Sequence, residues 1–371
     1  MKKISQIAQI AVFVVLIALV PVMYLLTPDK AMSESENRTL AQLPDFSWQA
    51  LLSGQYTSEF ETYLTDQMPL RDEWIALRSY IEALLLKTES NGVYIGDKQT
   101  LIARFDQPDA ARVERNTKAL QQLVEKAGVP VYLSLIPGAA QVWQDRLPAN
   151  APNADQAALI EQIASQTQAL RVDTLGVLTA HSSEDIYYRT DHHWTTLGAY
   201  YGYTALAQAM GFAATPLSSF TAQTVSDAFY GTVYSRAGVR WIEPDSIQVM
   251  VQAPDARVIW YDGAKETEGS LYVSSFLDQK DKYSFFLGGN RGRIVIQSGG
   301  EGGKLLLLRD SYSDSEVAFL LQHFSEIHLI DPRYYSDSVL EYIEQQGIDA
   351  VVVNMSVETF TTERRVALIG T

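Results

Sequence analysis

Four short apolar runs constrain the fold of this chain more than any other feature of its sequence. Each run is long enough for one strand and is predominantly apolar on both of its faces, which is typical of parallel strands buried between two layers of helices. Segments with helical periodicity lie before and between the runs, near residues 109–127, 153–170, 314–323 and 335–346. This alternation predicts a doubly wound α/β sheet. The apolar runs themselves are residues 129–136, 304–308, 326–330 and 350–354.

Residues 212–303 interrupt this rhythm with glycines, aromatic residues and short alternating segments such as 246–251 and 293–296. Alternation of this kind predicts half-buried strands. We therefore expect a β-rich insertion at about 212–303 inside one α/β domain of residues 56–371. The insertion could carry part of a substrate cleft, although core packing alone also accounts for its apolar side chains.

The N-terminus carries a second apolar feature. Lys2 and Lys3 precede residues 7–26, in which Gln9 is the one strongly polar side chain. A helix of this length crosses roughly the 30 Å of a bilayer core, and residues 25–30 offer no clear cleavage site of small residues. The sequence therefore predicts a membrane anchor over residues 1–27, with a cleaved signal peptide as the alternative. The lysines place the short N-terminal side in the cytoplasm and the rest of the chain outside.

The segment between the anchor and the α/β domain has the composition of a linker. Residues 28–55 are mostly polar and contain Pro28 and Pro44, which predicts a stalk with little regular structure. Residues 56–88 then show helical periodicity, and Pro69 divides that pattern into two helices. The Asn91-Gly92 turn predicts a short hairpin that ends near residue 102.

Composition excludes several classes of function. The 371 residues carry a formal net charge of −15, and no basic stripe is present that could bind a phosphate backbone, so a nucleic-acid partner is not expected. The chain contains no cysteine, which excludes thiol catalysis, disulfides and cysteine-based zinc sites. The 47% apolar content is sufficient for a large buried core.

Candidate chemistry is concentrated in the segment Thr-Asp-His-His-Trp-Thr at residues 190–195. It follows a predicted short strand near 186–189 and precedes a predicted helix at 196–210. On an extended segment Asp191 and His193 point to one face, with His192 facing away. A carboxylate in that position can hold an imidazole in one tautomer as a general base. A helix-capping turn with a hydrogen-bonded histidine is the structural alternative.

A serine follows another of the buried strands. Residues 309–313 read Arg-Asp-Ser-Tyr-Ser and lie between the apolar run 304–308 and a predicted helix. Open α/β sheets bind ligands at the carboxyl ends of their strands, and a serine on such a turn exposes its hydroxyl beside backbone N–H groups that can stabilise an oxyanion. Asp310, Ser311 or Ser313 could instead only cap the helix.

Together, the serine and the Asp-His pair supply the three groups of a nucleophilic acyl-transfer centre, which requires no metal or other cofactor. A metal site built from Asp191, His193 and a remote carboxylate is the alternative. Adjacent histidines do not converge easily on one ion, and no thiolate is available.

Three segments, residues 187–200, 281–290 and 304–312, closely resemble the DHHW protein family. That family is similar to the alginate O-acetylation proteins of the SGNH-hydrolase-like superfamily. The resemblance extends to residues 36–40, 66–71 and 91–96. It implies an SGNH-hydrolase-like version of the predicted sheet.

The resemblance also implies roles for individual residues. The Asp-x-His-Trp motif falls on Asp191, His193 and Trp194, and the Asp-Ser motif falls on Asp310 and Ser311. Ser311 would be the nucleophile, His193 its base and Asp191 the acid that orients the base. The chain departs from the pattern at His192 and Arg309, and neither departure removes a catalytic group.

The oxyanion and substrate contacts are less strongly indicated. Backbone N–H groups of Ser311 or Tyr312 are one source of oxyanion donors. The Gly288–Asn290 segment resembles a loop that supplies others, with Gly289, Asn290 and Trp194 as further candidates for substrate contact. Gly288-Gly289 could equally be a hairpin turn.

The function implied by this resemblance is an extracytoplasmic serine acyltransferase or acylesterase that acts on a cell-envelope glycan. An integral-membrane O-acyltransferase that passes acyl groups outward is an implied partner. Alginate itself is not implied, because DHHW chains are typical of Gram-positive bacteria. A non-catalytic glycan-binding or assembly protein and a metal-dependent hydrolase are the competing interpretations.

Overall fold

The computed structural model describes residues 2–33, 38–251 and 256–371. Parts of the predicted stalk (34–37) and of the predicted insertion (252–255) lie outside these described residues. The chain forms two compact units, Met1–Lys87 with Gly238–Trp241 and Thr88–Ala237 with Ile242–Thr371. The predicted boundary at residue 56 therefore falls inside the first unit.

The first unit is mainly helical. Pro69 lies between the helices Gln55–Asp66 and Arg71–Leu84, where the sequence predicts a break. Within the segment predicted as a stalk, the Arg38 guanidinium binds both carboxylate oxygens of Asp66. Among the described residues, no helix combines the length and the apolar character of a membrane span. The elements are α1 (Lys2–Leu26), β1 (Met32–Ser33), β2 (Arg38–Thr39), α2 (Trp48–Leu52), α3 (Gln55–Asp66) and α4 (Arg71–Leu84).

The second unit contains the remaining strands and helices. In chain order they are β3 (Glu89–Ser90), β4 (Val93–Ile95), β5 (Leu101–Ala103), α5 (Ala110–Lys126), β6 (Val131–Ile136), α6 (Ala139–Val142), α7 (Gln156–Ser165), β7 (Leu170–Arg171), α8 (Thr174–Ala180), α9 (Thr196–Met210), β8 (Thr221–Phe229), α10 (Thr232–Ala237), β9 (Asp245–Val251), β10 (Arg257–Asp262), β11 (Lys265–Glu268), β12 (Arg293–Gln297), β13 (Lys304–Arg309), α11 (Ser313–Leu320), β14 (Glu326–Ile330), α12 (Val339–Gln346), β15 (Ala350–Ser356) and α13 (Val357–Thr362).

A mixed eight-stranded sheet forms the centre of this unit. Its strand order is β11-β10-β12-β14-β13-β15-β6-β7. The five strands from β14 to β7 are parallel. They include all four apolar runs, so the prediction that these runs share one parallel sheet is confirmed.

Helices cover both faces of the sheet. Successive leucines of β13 alternate between two cores: Leu305 and Leu307 pack with α9 and α11 on one face, whereas Leu306 and Leu308 pack with α5 and α12 on the other. This double coverage explains why the run is apolar at every position rather than at every second one.

The predicted β-rich insertion is not a separate layer. Strands β10, β11 and β12 are antiparallel and extend the main sheet beyond β14, because Ile294 and Ile296 of β12 are buried against the same core as the parallel strands. Of the described strands between 212 and 303, only β8 and β9 pair outside that sheet, as a two-stranded antiparallel sheet. Strands β8–β12 lie between 212 and 303, where the sequence predicts β structure, and β10–β12 of these join the main sheet.

Candidate active site

The acid-histidine segment is a bend rather than an extended strand. Tyr187 and Trp194 form an isolated antiparallel bridge, and residues 189–193 turn between them. Asp245 fixes the bend by accepting hydrogen bonds from the backbone N–H and the hydroxyl of Thr190, at 2.8 and 2.6 Å. The strand predicted at 186–189 is therefore wrong, and the alternation of side chains expected from it does not apply.

The bend brings Asp191 and His193 together with Ser311. The Asp191 carboxylate lies 2.5 Å from Nδ1 of His193, and Nε2 of His193 lies 2.8 Å from the Ser311 hydroxyl oxygen. Because Nδ1 donates to a carboxylate, Nε2 is the unprotonated nitrogen that can accept the serine proton. The three groups form one continuous chain of hydrogen bonds, although 118 residues separate His193 from Ser311.

Asp191 is held by more than the histidine. Its second carboxylate oxygen accepts hydrogen bonds from the backbone N–H and the hydroxyl of Thr232, at 2.7 and 2.9 Å. Burial raises the pKa of Asp191, but the neighbouring His192 and His193 and these hydrogen bonds outweigh burial and hold the pKa below its usual range. The group therefore stays a carboxylate. A Cβ atom at Gly231 would lie 2.2 Å from Asp191, so no side chain fits at that position.

Ser311 lies on the turn between β13 and α11. Asp310 fixes this turn because one of its oxygens accepts from the backbone N–H of Tyr312 at 3.1 Å. The other accepts from the hydroxyl of Ser356, at the end of β15, at 2.7 Å. Within the described part of the chain, the backbone N–H of Ser311 has no hydrogen-bond acceptor. The Tyr312 N–H is thus bound by Asp310, whereas the Ser311 N–H remains available.

Two rings enclose the imidazole of His193. Tyr283 stacks on it with 3.7 Å between ring centroids, and the tilted ring of His192 lies 3.8 Å away. Tyr283 was not predicted as a site residue, although it lies in the 281–290 segment that carries the family resemblance. An aromatic residue read from sequence alone is more readily assigned to core packing.

The prediction that His192 faces away from the site is wrong. Its Nδ1 lies 2.7 Å from the Thr232 hydroxyl, and its ring lines the same cavity as Ser311. Burial and the adjacent His193 lower the pKa of His192 to about 4. A neutral His192 therefore lies beside His193 at neutral pH.

The cavity in front of Ser311 has a volume of about 340 Å³. It lies at the carboxyl edge of the parallel strands, since Ser311 follows β13 and Ser356 ends β15. Its polar lining includes His192, Thr232, Arg236, Ser311, Arg333 and Ser356. The cavity is large enough for an acyl group and part of a sugar.

The other residues predicted to contact the oxyanion or the substrate do not have the roles expected from the sequence. Trp194 is fully buried and donates its Nε1–H to the Tyr312 carbonyl at 2.9 Å, so it supports the turn and cannot contact a substrate. The Tyr312 N–H is already used by Asp310. Asn290 lines a different cavity beside β12, and Gly289 packs against Ser284.

The same residues also form a group that could bind a metal ion. Asp191, His192 and His193 can each place one ligand atom so that all three lie within 4.8 Å of one another. Both oxygens of Asp191 and Nδ1 of His192 already take part in hydrogen bonds. A metal at this position would therefore replace the hydrogen bonds that connect His193 to Asp191.

Two curated proteins match about half of the chain. The chain is 25% identical over 210 residues to the probable alginate O-acetylase AlgJ of Pseudomonas syringae pv. tomato, covering 53% of the chain and 54% of the relative. Identity to the AlgJ of Pseudomonas aeruginosa is 26% over 174 residues, or 43% of the chain and 44% of that protein. The chain thus spans about half the length of the curated relatives it matches.

Solved structures show the same fold. A DHHW family protein from Eubacterium siraeum superposes with a TM-score of 0.67 at 27% identity, covering 76% of this chain and 95% of that one. Bacillus cereus PatB1, solved with a sulfonyl adduct, has a TM-score of 0.61 at 18% identity, covering 72% and 96%. The model of the DHHW protein family matches residues 113–330, which is more than half of the chain. The chain belongs to the DHHW protein family.

Proposed function

We propose that the protein is an extracytoplasmic serine acyltransferase or acylesterase that acts on O-acyl groups of a cell-envelope glycan. The observation that carries the proposal is the continuous contact from Asp191 through His193 to Ser311, with 2.8 Å between the imidazole and the hydroxyl. This arrangement matches the geometry required for a nucleophile and its general base. In an SGNH-hydrolase-like fold these groups meet at the carboxyl edge of the sheet.

The reaction proceeds in two halves. Nε2 of His193 takes the Ser311 proton as the hydroxyl oxygen attacks the acyl carbonyl, and the resulting imidazolium gives that proton to the departing alcohol oxygen. The acyl group then forms an ester with Ser311. A sugar hydroxyl or water, deprotonated by His193, attacks this ester and restores the serine, so atoms and charge balance in each half.

The backbone N–H of Ser311 is the proposed oxyanion donor. It is not engaged by another described group, whereas the Tyr312 N–H donates to Asp310. Loss of one such donor typically raises the barrier by about 3 kcal/mol.

The names of the curated relatives support O-acetyl chemistry on a polysaccharide as the reaction class. The anchor predicted over residues 1–27 would place the second unit, which carries Asp191, His193 and Ser311, outside the membrane. This second unit is the proposed catalytic unit, and an integral-membrane O-acyltransferase could supply acyl groups to it there. Protease added to intact protoplasts of the source bacterium tests this topology. Digestion of the catalytic unit is expected, and its protection while the membrane is sealed would contradict the proposed orientation.

Intact mass measurement tests the mechanism directly. After brief exposure to 4-nitrophenyl acetate, the protein should gain one acetyl group, and Ser311→Ala should abolish that gain. Ser313→Ala is the matched control, because its hydroxyl is buried against Asn354 and not in the cavity. Labelling that survives in folded Ser311→Ala protein would refute the proposed nucleophile.

A metal-dependent hydrolase is the second candidate, favoured by the convergence of Asp191, His192 and His193. The two candidates differ in their response to chelators. Activity that is lost with EDTA and restored by zinc would support the metal site, whereas the serine mechanism predicts full activity after dialysis against EDTA.

A further inference from the structure

We propose that the cavity beside β10, β12 and β14 is a second glycan subsite, which holds a neighbouring part of the polymer whose acyl group reacts at Ser311. The inference rests on the proposed function and specifies its substrate as an oligomeric or polymeric glycan rather than a single sugar.

The register of the sheet places this cavity at the same edge as Ser311. Tyr261 of β10 pairs with Arg293 at the start of β12, and Arg293 pairs with Ile330 at the end of β14. Because β14 is parallel to β13, these ends all lie at the edge from which Ser311 projects. Two strand spacings separate β13 from β12, or about 10 Å.

The cavity has a volume of about 420 Å³ and combines aromatic with polar side chains. Such a combination suits a sugar, because its C–H faces pack on aromatic rings while its hydroxyls need hydrogen-bonding partners. The aromatic and polar residues of the lining include Tyr261, Asp262, Asn290, Tyr334, Tyr335 and Asp337.

Tyr334 provides the most accessible ring of the cavity. The Tyr334 side chain is 54% exposed. The loop that carries it is nevertheless fixed, because the Tyr334 backbone N–H donates to the Asp331 backbone carbonyl at 3.0 Å. A Cβ atom at Gly292 would lie 2.8 Å from the Tyr334 carbonyl, so the loop packs closely on the start of β12. Below it, the Arg293 guanidinium stacks on Tyr261 at 3.7 Å. The site is therefore preformed.

Arg333 and Tyr334 connect the two cavities. Arg333 lines the cavity of Ser311, and the next residue, Tyr334, lines the second cavity. Arg333 is fixed by Asp331, with 2.7 Å between a guanidinium nitrogen and the carboxylate. A glycan that follows the sheet edge from Ser311 would thus pass directly from one cavity to the other.

Calorimetric titration of the full-length Ser311→Ala protein tests the subsite. The probes are unacetylated oligosaccharides from mono- to hexasaccharide, in neutral, N-acetylated amino-sugar and uronic-acid series. In at least one series the affinity should rise with length, and Tyr334→Ala should weaken binding of the longest member about tenfold. Tyr334→Phe should retain the affinity, and Tyr80→Ala, a similarly exposed tyrosine of the first unit, should have no effect.

Equal affinity for short and long members, absence of binding in all three series, or an unchanged affinity in Tyr334→Ala would overturn the subsite. The proposed function is tested separately by acetylation of Ser311 with 4-nitrophenyl acetate, which is too small to reach the second cavity. In protein that retains Ser311, Tyr334→Ala should raise KM for the acetylated form of the glycan that binds, and Tyr80→Ala should leave this KM unchanged. An unchanged KM in Tyr334→Ala would also contradict the subsite.

Discussion

The phenol ring of Tyr283 lies parallel to the imidazole of His193, with 3.7 Å between the ring centroids and 5° between the ring planes. The Tyr283 hydroxyl also donates to the Ser311 carbonyl at 3.1 Å. One side chain therefore contacts both the proposed base and the backbone of the proposed nucleophile. Burial raises the pKa of Tyr283 well above its usual value, so the hydroxyl remains a donor at any pH of interest.

Two substitutions separate the contributions of Tyr283. Tyr283→Phe keeps the stacked ring and loses the hydrogen bonds to the Ser311 carbonyl and the Ser315 hydroxyl, so kcat should fall only about fivefold. Tyr283→Ala removes the ring that confines His193, and kcat should fall about 10²-fold because the imidazole is misplaced. Steady-state kinetics with 4-nitrophenyl acetate measures both. Equal losses in the two variants would show that stacking does not position the base.

The members of the Asp191–His193–Ser311 chain should behave as one unit. Ser311→Ala and His193→Ala should each lower kcat by roughly 10⁴-fold or more, and the double variant should be scarcely worse than either. Asp191→Asn should cost less, because the acid only orients the base and stabilises its charged form. Multiplicative losses in the double variant would indicate that serine and histidine act independently.

The pH profile should not depend on His192. Its pKa is lowered to about 4, so the ring is neutral above about pH 5 and gains its charge, beside His193, only as the pH falls through about 4. His192→Gln should therefore leave the shape of the kcat/KM profile unchanged above pH 5, with a loss of activity below about tenfold. A shifted limb in that range would mean that His192 titrates with the catalytic groups.

Glu316 should make the protein less stable at higher pH. Its side chain is buried on α11 beside Asn354, and burial raises its pKa to about 8. Between about pH 5 and 8 the folded state holds a proton that the unfolded state releases. The free energy of unfolding therefore falls as the pH rises, by up to about 1.4 kcal/mol per pH unit.

Glu316→Gln should reduce this slope, and urea unfolding at several pH values measures the change. Part of the slope should remain, because burial also raises the pKa of Asp314, to about 7. The exposed Glu344→Gln on α12 is the matched control and should keep the wild-type slope. A slope that is the same in both variants would show that Glu316 is charged in the folded protein.

A glycine next to Asp191 gives a further test of the site geometry. A Cβ atom at Gly231 would meet the Asp191 side chain at 2.2 Å, so Gly231→Ala should displace the carboxylate and lower kcat by about 10²-fold. Gly138→Ala, where the nearest atom is 3.6 Å away, should have little effect. Full activity in Gly231→Ala would show that Asp191 does not need its present position.

Much of the central sheet was predictable because parallel strands between two helical layers are apolar at every position. The position of Ser311 followed from a general property of such sheets, which bind ligands at the carboxyl ends of their strands, whereas His193 lies on a bend that is not part of the sheet. The orientation of His192 was not predictable, because it depends on a bend that Asp245 stabilises from 55 residues away. The stacking of Tyr283 on His193 and the pairing of β12 with β14 are likewise long-range contacts without a local signal.

The strand that carries Ser311 pairs only with strands that follow it in the chain. Strand β13 lies between β14 and β15, and Ser356, at the end of β15, binds the Asp310 side chain that fixes the serine turn. A growing chain lacks these partners until synthesis has passed Ser356. A chain that stops before this point would lack the contacts that hold the Ser311 turn, and we expect it to lack the geometry of the proposed nucleophile.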